Sequence, residues 1–432
     1  MALPPGPRGP AATTTARLVR RPVETLLGWH RRYGDAFTLR ILRFGTGVYV
    51  ADPEEIKAMF TGDQSDLLAG EANAPLAAIL GHNSLLTLDG EKHLRHRRLL
   101  LPPFSGNSVK EFRSVIAAVA EEEIDGWRVG ESFPMRERMR RLTFEVICRA
   151  VFGVHEPERV RALRAALLSL LDMGSVFLLP GPLRADLGRW SPGGRLDRRL
   201  RAADRLLYEE IERRRQAPDL DSRSDVLSLL LRARDEQGRP MTDVELRDEL
   251  ITLLAAGHET TATALAFAFD LLTHNPEVLA RLRDELVGGD DAYLGAVVSE
   301  TLRVRPVIDA AERTLAAPRS VCGFELPAGI RVYPGILLVH YRPDLYPEPD
   351  RFRPERFLGG GVESYAWLPF GGGIRRCIGA PLAQAEMAEV LRKATESVEL
   401  EAIRPRTDPV VLRGITLAPR HGAEVRVSRR LA

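Results

Sequence analysis

The sequence predicts a mainly α fold with small β-sheets, and three observations lead there. Apolar residues recur at intervals of three and four from Ser108 to Arg215, as in Phe144, Ile147, Cys148 and Val151, the period of one helical face. Thr242-Asp-Val-Glu245 is a capping box, and it opens a helical stretch of about 33 residues, roughly 50 Å at the helical rise. Strand-like stretches are short and fall roughly at 36–51, 307–335 and 398–428. Length alone allows two or three units of about 150 residues. No long flexible linker divides the 432 residues, so one domain spanning 1–432 is expected.

Composition narrows the function classes. With 44% hydrophobic and 28% charged residues the chain has ordinary globular composition and length for a large core. Its 61 basic and 59 acidic residues nearly cancel, leaving +2, which gives no global case for nucleic acid. Three cysteines, Cys148, Cys322 and Cys377, are too few for a disulfide framework and fit a reducing cytosol. A signal-peptide core and an apolar run of about 18 residues are both missing by inspection.

Along the chain, Glu24–Arg32 reads as a short helix, and Ala36–Leu42 with Gly47–Val50 as a strand pair around a glycine turn. Asp52-Pro53 starts a helix with proline at its first position. Thr61 to Leu88 is loop-rich, with apolar anchors Leu67, Leu76, Ile79, Leu85 and Leu86. His93 and Arg97 lie four apart in the charged run Asp89–Arg98, so they share one helical face that can clamp carboxylates. Leu178–Gly194 interrupts the helical pattern with three prolines and several glycines.

The long helix carries Ala256-Gly-His-Glu-Thr-Thr261. His258-Glu259 fails as a zinc-protease signature because Ala262 stands where a second histidine is required. Ala256 and Thr260 share a face, and Gly257 beside them weakens the helix and opens room. In the helix Tyr293–Val304, Glu300 and Arg303 are spaced for an intrahelical ion pair. Val307–Arg313 reads as extended. Val321–Leu326 and Ile330–Tyr333 read as a hairpin bounded by Pro327-Ala-Gly, and Arg413–Leu417 as a turn.

The stretch Phe370-Gly-Gly-Gly-Ile-Arg-Arg-Cys377-Ile-Gly379 organises the rest. Cys377 stands just before a run, Ala380 to about Leu391, that reads as a helix. The macrodipole and the unpaired N–H groups of that end favour a thiolate, the metal-ligating form. Gly371, Gly372 and Gly373 let the backbone turn sharply and lie close to a flat ligand. A P-loop is excluded, because no Gly-Lys-Ser/Thr follows. A buried small hydrophobe and a nucleophile remain as readings of the cysteine alone.

Phe370, Gly373, Arg375, Cys377 and Gly379 match the haem-binding signature of the cytochrome P450 family, Phe-x-x-Gly-x-Arg-x-Cys-x-Gly. Further family motifs follow in order over nearly the whole chain, which resembles the soluble bacterial members. The resemblance implies a single triangular-prism domain and haem b (iron protoporphyrin IX), with Cys377 as its thiolate ligand. Phe370, Gly371, Arg375 and Gly379 would form the haem loop. His93, Arg97, Arg313 and Arg375 would hold the propionates, with Ala256 and Gly257 against the ring. Glu259 and Thr260 would be the acid–alcohol pair that delivers protons during dioxygen activation. Leu76, Leu85, Leu86, Leu253, Ala256, Val307, Ile308, Ala310 and Ile415 would line the substrate pocket. Asp309 departs from the apolar residue expected there. Glu300 and Arg303, joined by Arg356 of Pro354–Phe357, would be structural.

By the same resemblance the activity is that of a haem-thiolate monooxygenase acting on a hydrophobic small molecule, a fatty acid, terpenoid or steroid. Electrons would come from a separate ferredoxin and NAD(P)H-ferredoxin reductase. Lys92, Arg95, Arg98 and Arg376 would form a basic docking patch. A cytoplasmic monomer without a membrane anchor is expected, and Leu178–Gly194 would connect two lid helices. A peroxide-driven peroxygenase and a non-catalytic haem sensor are the alternatives; Glu259-Thr260 argues for the dioxygen route.

Overall fold

The computed structural model describes residues 3–171, 173, 185–188, 190–359, 363 and 365–431. The chain folds into two compact units. One comprises Met1–Leu68, Ile116–Leu142 and Thr260–Ala432, the other Ala69–Val115 and Thr143–Glu259. Residues 178–184 and 189 of the expected lid connection Leu178–Gly194 lie outside the described residues. Its end is helical: Pro192 occupies the first turn of Pro192–Arg215, and Ser191 Oγ accepts from the Gly194 N–H at 3.0 Å.

All described strands belong to the first unit. They are β1 (Ala36–Ile41), β2 (Gly45–Val50), β3 (Leu67–Leu68), β4 (Ser132–Pro134), β5 (Arg313–Leu315) and β6 (Arg319–Val321), followed by β7 (Phe324–Leu326), β8 (Arg331–Pro334), β9 (Val398–Ala402), β10 (Val410–Arg413), β11 (Thr416–Pro419) and β12 (Glu424–Arg430). A five-stranded sheet has the order β1-β2-β8-β5-β3, and a three-stranded one β4-β12-β9. β1 and β2 pair antiparallel with Ala36 opposite Val50, and β8 runs parallel to β2. Phe37, Tyr49 and Tyr333 stack across these strands at centroid distances of 5.6 and 4.9 Å. Asp52 caps the helix Pro53–Thr61 by accepting from the Glu55 N–H at 2.8 Å.

The predicted hairpin between Val321–Leu326 and Ile330–Tyr333 does not form. β6 pairs with β7, while β8 inserts between β2 and β5. The cause is the two-residue turn at Cys322 and Gly323, with φ of 48° and 78°. Two consecutive left-handed residues give the twist that closes a tight hairpin.

Glu300 and Arg303 sit fully buried in the helix Ala292–Val304, joined at 2.6 and 2.7 Å. Arg356 Nε lies 3.3 Å from Glu300, completing the triad by charge. Arg303 also donates to the carbonyls of His340, Pro349 and Arg351 at 2.8, 2.8 and 3.1 Å.

In the second unit, Arg214 is buried and donates to Asp225, to Ser228 at 2.9 Å and to the carbonyls of Phe152 and Gly153 at 2.9 and 3.1 Å. Gly153 is left-handed at φ 62°, and a Cβ there would stand 2.6 Å from Arg214. The helix Asp243–His274 runs 32 residues. Its capping box is reciprocal: the Thr242 N–H donates to Glu245 at 2.7 Å and the Glu245 N–H to Thr242 at 3.2 Å. By length and composition this helix could cross a membrane, which inspection of the sequence did not anticipate; 67% of its apolar window is buried in the protein.

Glu386, in the helix Ala380–Ser397, is buried, and its Oε1 has no hydrogen-bond partner. Burial pushes its carboxyl up to about 8. An unfolded glutamate ionises near ~4.3. Between those values the folded chain keeps a proton that the unfolded chain has lost, so stability falls as pH rises through that window. Glu386→Gln should flatten this dependence. Urea denaturation should find the variant more stable than wild type at pH 8, with the gap closing toward pH 4.

Candidate functional site

The cysteine loop belongs to the first unit. Gly373–Arg375 makes one tight 3₁₀ turn, and Gly379 precedes the helix Ala380–Ser397. The Gly371 N–H donates to Leu368 O at 2.9 Å, and the Cys377 N–H to Phe370 O at 2.9 Å. A Cβ on Gly373, which is left-handed at φ 61°, would stand 1.8 Å from the Phe60 carbonyl. Glycine is therefore required for the loop to reach the helix Pro53–Thr61. Gly371 and Gly379 differ, since a Cβ on either would meet nothing within 4 Å. The Arg313 guanidinium lies 5.6 Å over the Phe60 ring, and Phe370 meets Trp367 edge-on at 6.0 Å. The structure thus brings both Arg313 and the loop to one residue, Phe60.

The three cysteines differ in setting. Cys148 is fully buried, and its thiol is pushed far above the usual range by burial and by Glu145. The half-buried Cys322 is pushed up to about 12 by burial, Glu55, Asp52 and Asp35. Both hold their protons. Cys377 is exposed.

The loop is also held by a residue to which the sequence reading gave no role. His340 is fully buried; its Nε2 accepts from the Leu368 N–H at 2.8 Å, and its Nδ1 lies 3.2 Å from Arg303 O. Those roles require a neutral ring. Burial and the Arg303 charge depress its pKa to about 3.

In the second unit His93 and Arg97 lie on the helix Gly90–Leu100, His93 buried and Arg97 half-buried. The same helix carries an ionic network that the sequence reading missed. His96 Nδ1 lies 2.8 Å from Glu249 and its Nε2 3.2 Å from Glu245. Burial pushes the Glu249 carboxyl up, and His96 opposes the shift. Arg95 donates to Asp235, Glu245 and Pro240 O at 2.7, 2.8 and 2.9 Å. Arg98 pairs with Glu236 at 2.7 Å. The expectation that Arg95 and Arg98 stand free for docking is therefore corrected. Arg95 is an internal fork between acidic residues, and Arg98 already has an acidic neighbour.

The candidate pocket residues fall into two groups. In the second unit Ser84 Oγ lies 2.7 Å from Thr252 Oγ1, and the Asn83 N–H donates to Asp248 at 3.0 Å. These bonds tie the segment of Leu85 and Leu86 to the long helix that bears Leu253, Ala256, Gly257 and Glu259; Leu76 ends a 3₁₀ turn upstream. Ala256 is exposed although Leu254 and Thr261 nearby are buried. In the first unit the Leu417 N–H donates to Val307 O at 2.8 Å. That bond joins the segment of Val307, Ile308 and Ala310 to the turn of Ile415. Asp309 binds the Tyr49 hydroxyl, which accounts for a carboxylate among apolar neighbours. Thr260 follows Glu259 on the same helix and is assigned to the first unit.

Comparison with known proteins gives one consistent family. A family model described as Cytochrome P450 matches residues 4–421. The chain is 44% identical over 435 residues to Putative cytochrome P450 135B1 of Mycobacterium tuberculosis, covering 99% of this chain and 92% of that one. It is 40% identical over 427 residues to Putative cytochrome P450 135A1 of the same species, covering 98% and 95%. Among solved structures, retinoic acid-bound cyanobacterial CYP120A1 superposes with a TM-score of 0.86 at 26% identity, over 100% of both chains. The cytochrome P450DA heme domain superposes with a TM-score of 0.87 at 23% identity, over 100% and 98%; that likeness bears on the fold.

His340→Phe should orphan the Leu368 N–H, a cost of about 1–3 kcal/mol. Hydrogen exchange should quicken across Leu368–Cys377 and stay unchanged in Gly90–Leu100. Wild type should itself lose this contribution as pH falls from ~6.5, where the unfolded histidine takes a proton, toward about 3.

Proposed function

The chain belongs to the cytochrome P450 family, whose members are monooxygenases that bind haem b through a cysteine thiolate, and on that premise we propose that Cys377 supplies the thiolate and that an apolar small molecule is the substrate. The observation that carries the assignment is the setting of Cys377. It is the one exposed cysteine of three, in a glycine loop immediately before an 18-residue helix. The donor set fits the cofactor: a cysteine at an exposed position, glycines with open space at Gly371 and Gly379, and Arg313 near the same loop. His93, Arg97, Arg313 and Arg375 would hold the two propionates by charge-assisted hydrogen bonds. Phe370, Gly371 and Gly379 would lie along the thiolate side.

When bound, the haem supplies the electron transfer and oxygen activation. One oxygen atom enters the substrate and the other leaves as water, a balance that requires two electrons and two protons. The chain's own task is to exclude water, orient the substrate and deliver those protons. Glu259 would take protons from solvent, and Thr260 would hold the hydroxyl that passes them on. Leu76, Leu85, Leu86, Leu253, Ala256, Val307, Ile308, Ala310 and Ile415 are the proposed apolar lining. A fatty acid, terpenoid or steroid fits that lining, and the retinoic acid in the CYP120A1 structure supports a substrate of this kind. Electrons would come from a ferredoxin and its NAD(P)H-dependent reductase. We further propose a monomer acting as one domain in the cytoplasm.

Cys377→Ser should abolish the red-shifted Soret band of the reduced carbon monoxide complex, because a neutral hydroxyl donates far less charge to iron. A retained band would exclude Cys377 as ligand. Ferredoxin-dependent turnover over a panel of fatty acids, terpenoids and steroids tests the substrate class. Arg95→Glu should lower the melting temperature, and ferredoxin-driven and peroxide-driven turnover should fall together. A selective loss of the ferredoxin-driven reaction would restore a docking role.

A further inference from the structure

His258 lies within the stretch Ala256–Thr261, and nothing above gives it a role. Its side chain is fully buried. Thr143 Oγ1 lies 3.0 Å from the His258 carbonyl oxygen and 2.9 Å from His258 Nδ1. A hydroxyl has one proton to donate. With that proton on the carbonyl, the hydroxyl must accept from the ring, so Nδ1 carries the imidazole proton. The two bonds close a small cycle in which the ring aims the hydroxyl and the hydroxyl holds the carbonyl.

The surroundings converge on the same turn. Phe144 meets the His258 ring edge-on at 5.6 Å and 89°. A Cβ on Gly257 would stand 3.3 Å from Ile147 Cδ1. Thr143, Phe144 and Ile147 are thus three residues of one helical stretch seated on two consecutive residues of the long helix. That stretch passes into a π-helical turn at Ile147–Val151, a device that re-aims side chains and recurs at functional sites. The seat lies directly before Glu259 and Thr260.

A helix carbonyl that accepts a second, side-chain hydrogen bond shares its acceptor capacity with the ladder N–H four residues on, and the helix bends there. We propose that Thr143 is a positioning residue for the monooxygenase reaction: by tethering the His258 carbonyl it sets the backbone of the turn that carries Glu259 and Thr260. This rests on the acid–alcohol reading of that pair. His258 is the lever through which Thr143 acts, and neither residue exchanges a proton with the substrate. The arrangement makes the shape of the helix depend on a residue 115 positions away in sequence, where no local motif would reveal it.

The test uses the haem-loaded protein with Thr143→Val, which keeps the shape and removes the hydroxyl, and Thr143→Ser, which restores it. Haem content, the carbon monoxide spectrum and the melting temperature should stay near wild type in both. Product formed per NADPH should fall several-fold in Thr143→Val, with a larger solvent isotope effect on turnover, and recover in Thr143→Ser. In haem-free protein, amide exchange across Ala256–Ala262 should quicken in the valine variant by roughly fivefold, the factor for one lost hydrogen bond. Should the valine variant not accumulate folded, His258→Phe removes the ring donor that aims the hydroxyl, and coupling and exchange should move in the same direction. Wild-type coupling and exchange in these variants, or a serine variant that does not recover, overturns the proposal. Thr260→Ala is the control. If it also keeps wild-type coupling, the acid–alcohol reading itself has failed; if it uncouples while Thr143→Val does not, only the tether has failed.

Discussion

The buried guanidinium of Arg303 is the interaction on which the cysteine-bearing unit depends. A cation without solvent contact is tolerated only when each of its donors is matched, because the desolvation cost of an unpaired buried charge is several kcal/mol per ion, on the order of a whole domain's stability margin. Arg303 meets that condition with the Glu300 carboxylate and three backbone carbonyls. Its fixed fork therefore defines where His340, Pro349 and Arg351 must lie. Glu300 extends the frame by accepting from the Arg353 N–H at 2.9 Å. From His340 the constraint passes to Leu368, and from Leu368 O to the Gly371 N–H. The cysteine loop is thus the far end of a hydrogen-bonded chain that begins in the last turn of another helix. Placing a soft ligand accurately requires such rigid support, since a loop of glycines has little conformational preference of its own.

The second unit repeats the logic with a different arrangement. Asp235, Glu245 and Glu249 converge on Arg95 and His96, so the Gly90–Leu100 helix is held to the long helix by charge. Asp248 receives Arg247 at 2.8 Å while also accepting from the Asn83 N–H. The carboxylates of the long helix's first turns are thereby engaged by neighbouring segments, and the apolar run that follows is left to the core. A helix of this composition would pass for a membrane span by hydropathy alone, yet its polar end is matched residue by residue within the protein.

Legibility in the sequence followed the range of the interactions. The cysteine loop, the capping box at Thr242 and the Glu300–Arg303 spacing are local patterns, and each was readable because its physics is contained in a few consecutive residues. Arg356 was placed by family resemblance. The hairpin between β6 and β7 was misread because Pro327-Ala-Gly looked like the stronger turn. A cysteine at φ 48° is a conformation that composition does not announce. Arg95 was misread for another reason. In a run of basic residues nothing local distinguishes the side chain that finds Asp235, 140 residues away, from one that stays in solvent. Asp309 and Thr143 belong to the same class, since their partners Tyr49 and His258 are distant in sequence.

The ionic frame described here is built almost wholly from arginine. Of the 61 basic residues only Lys57, Lys92, Lys110 and Lys393 are lysine. A guanidinium holds its proton far above the range in which an amine releases one, and its planar fork satisfies two acceptors at once. In practical terms, reagents directed at primary amines meet four side chains, three of them exposed and none in the networks around Arg95, Arg214 or Arg303. Lysine-directed tethering to a surface or an electrode would therefore attach the protein at few, defined points and leave the ion pairs within each unit untouched.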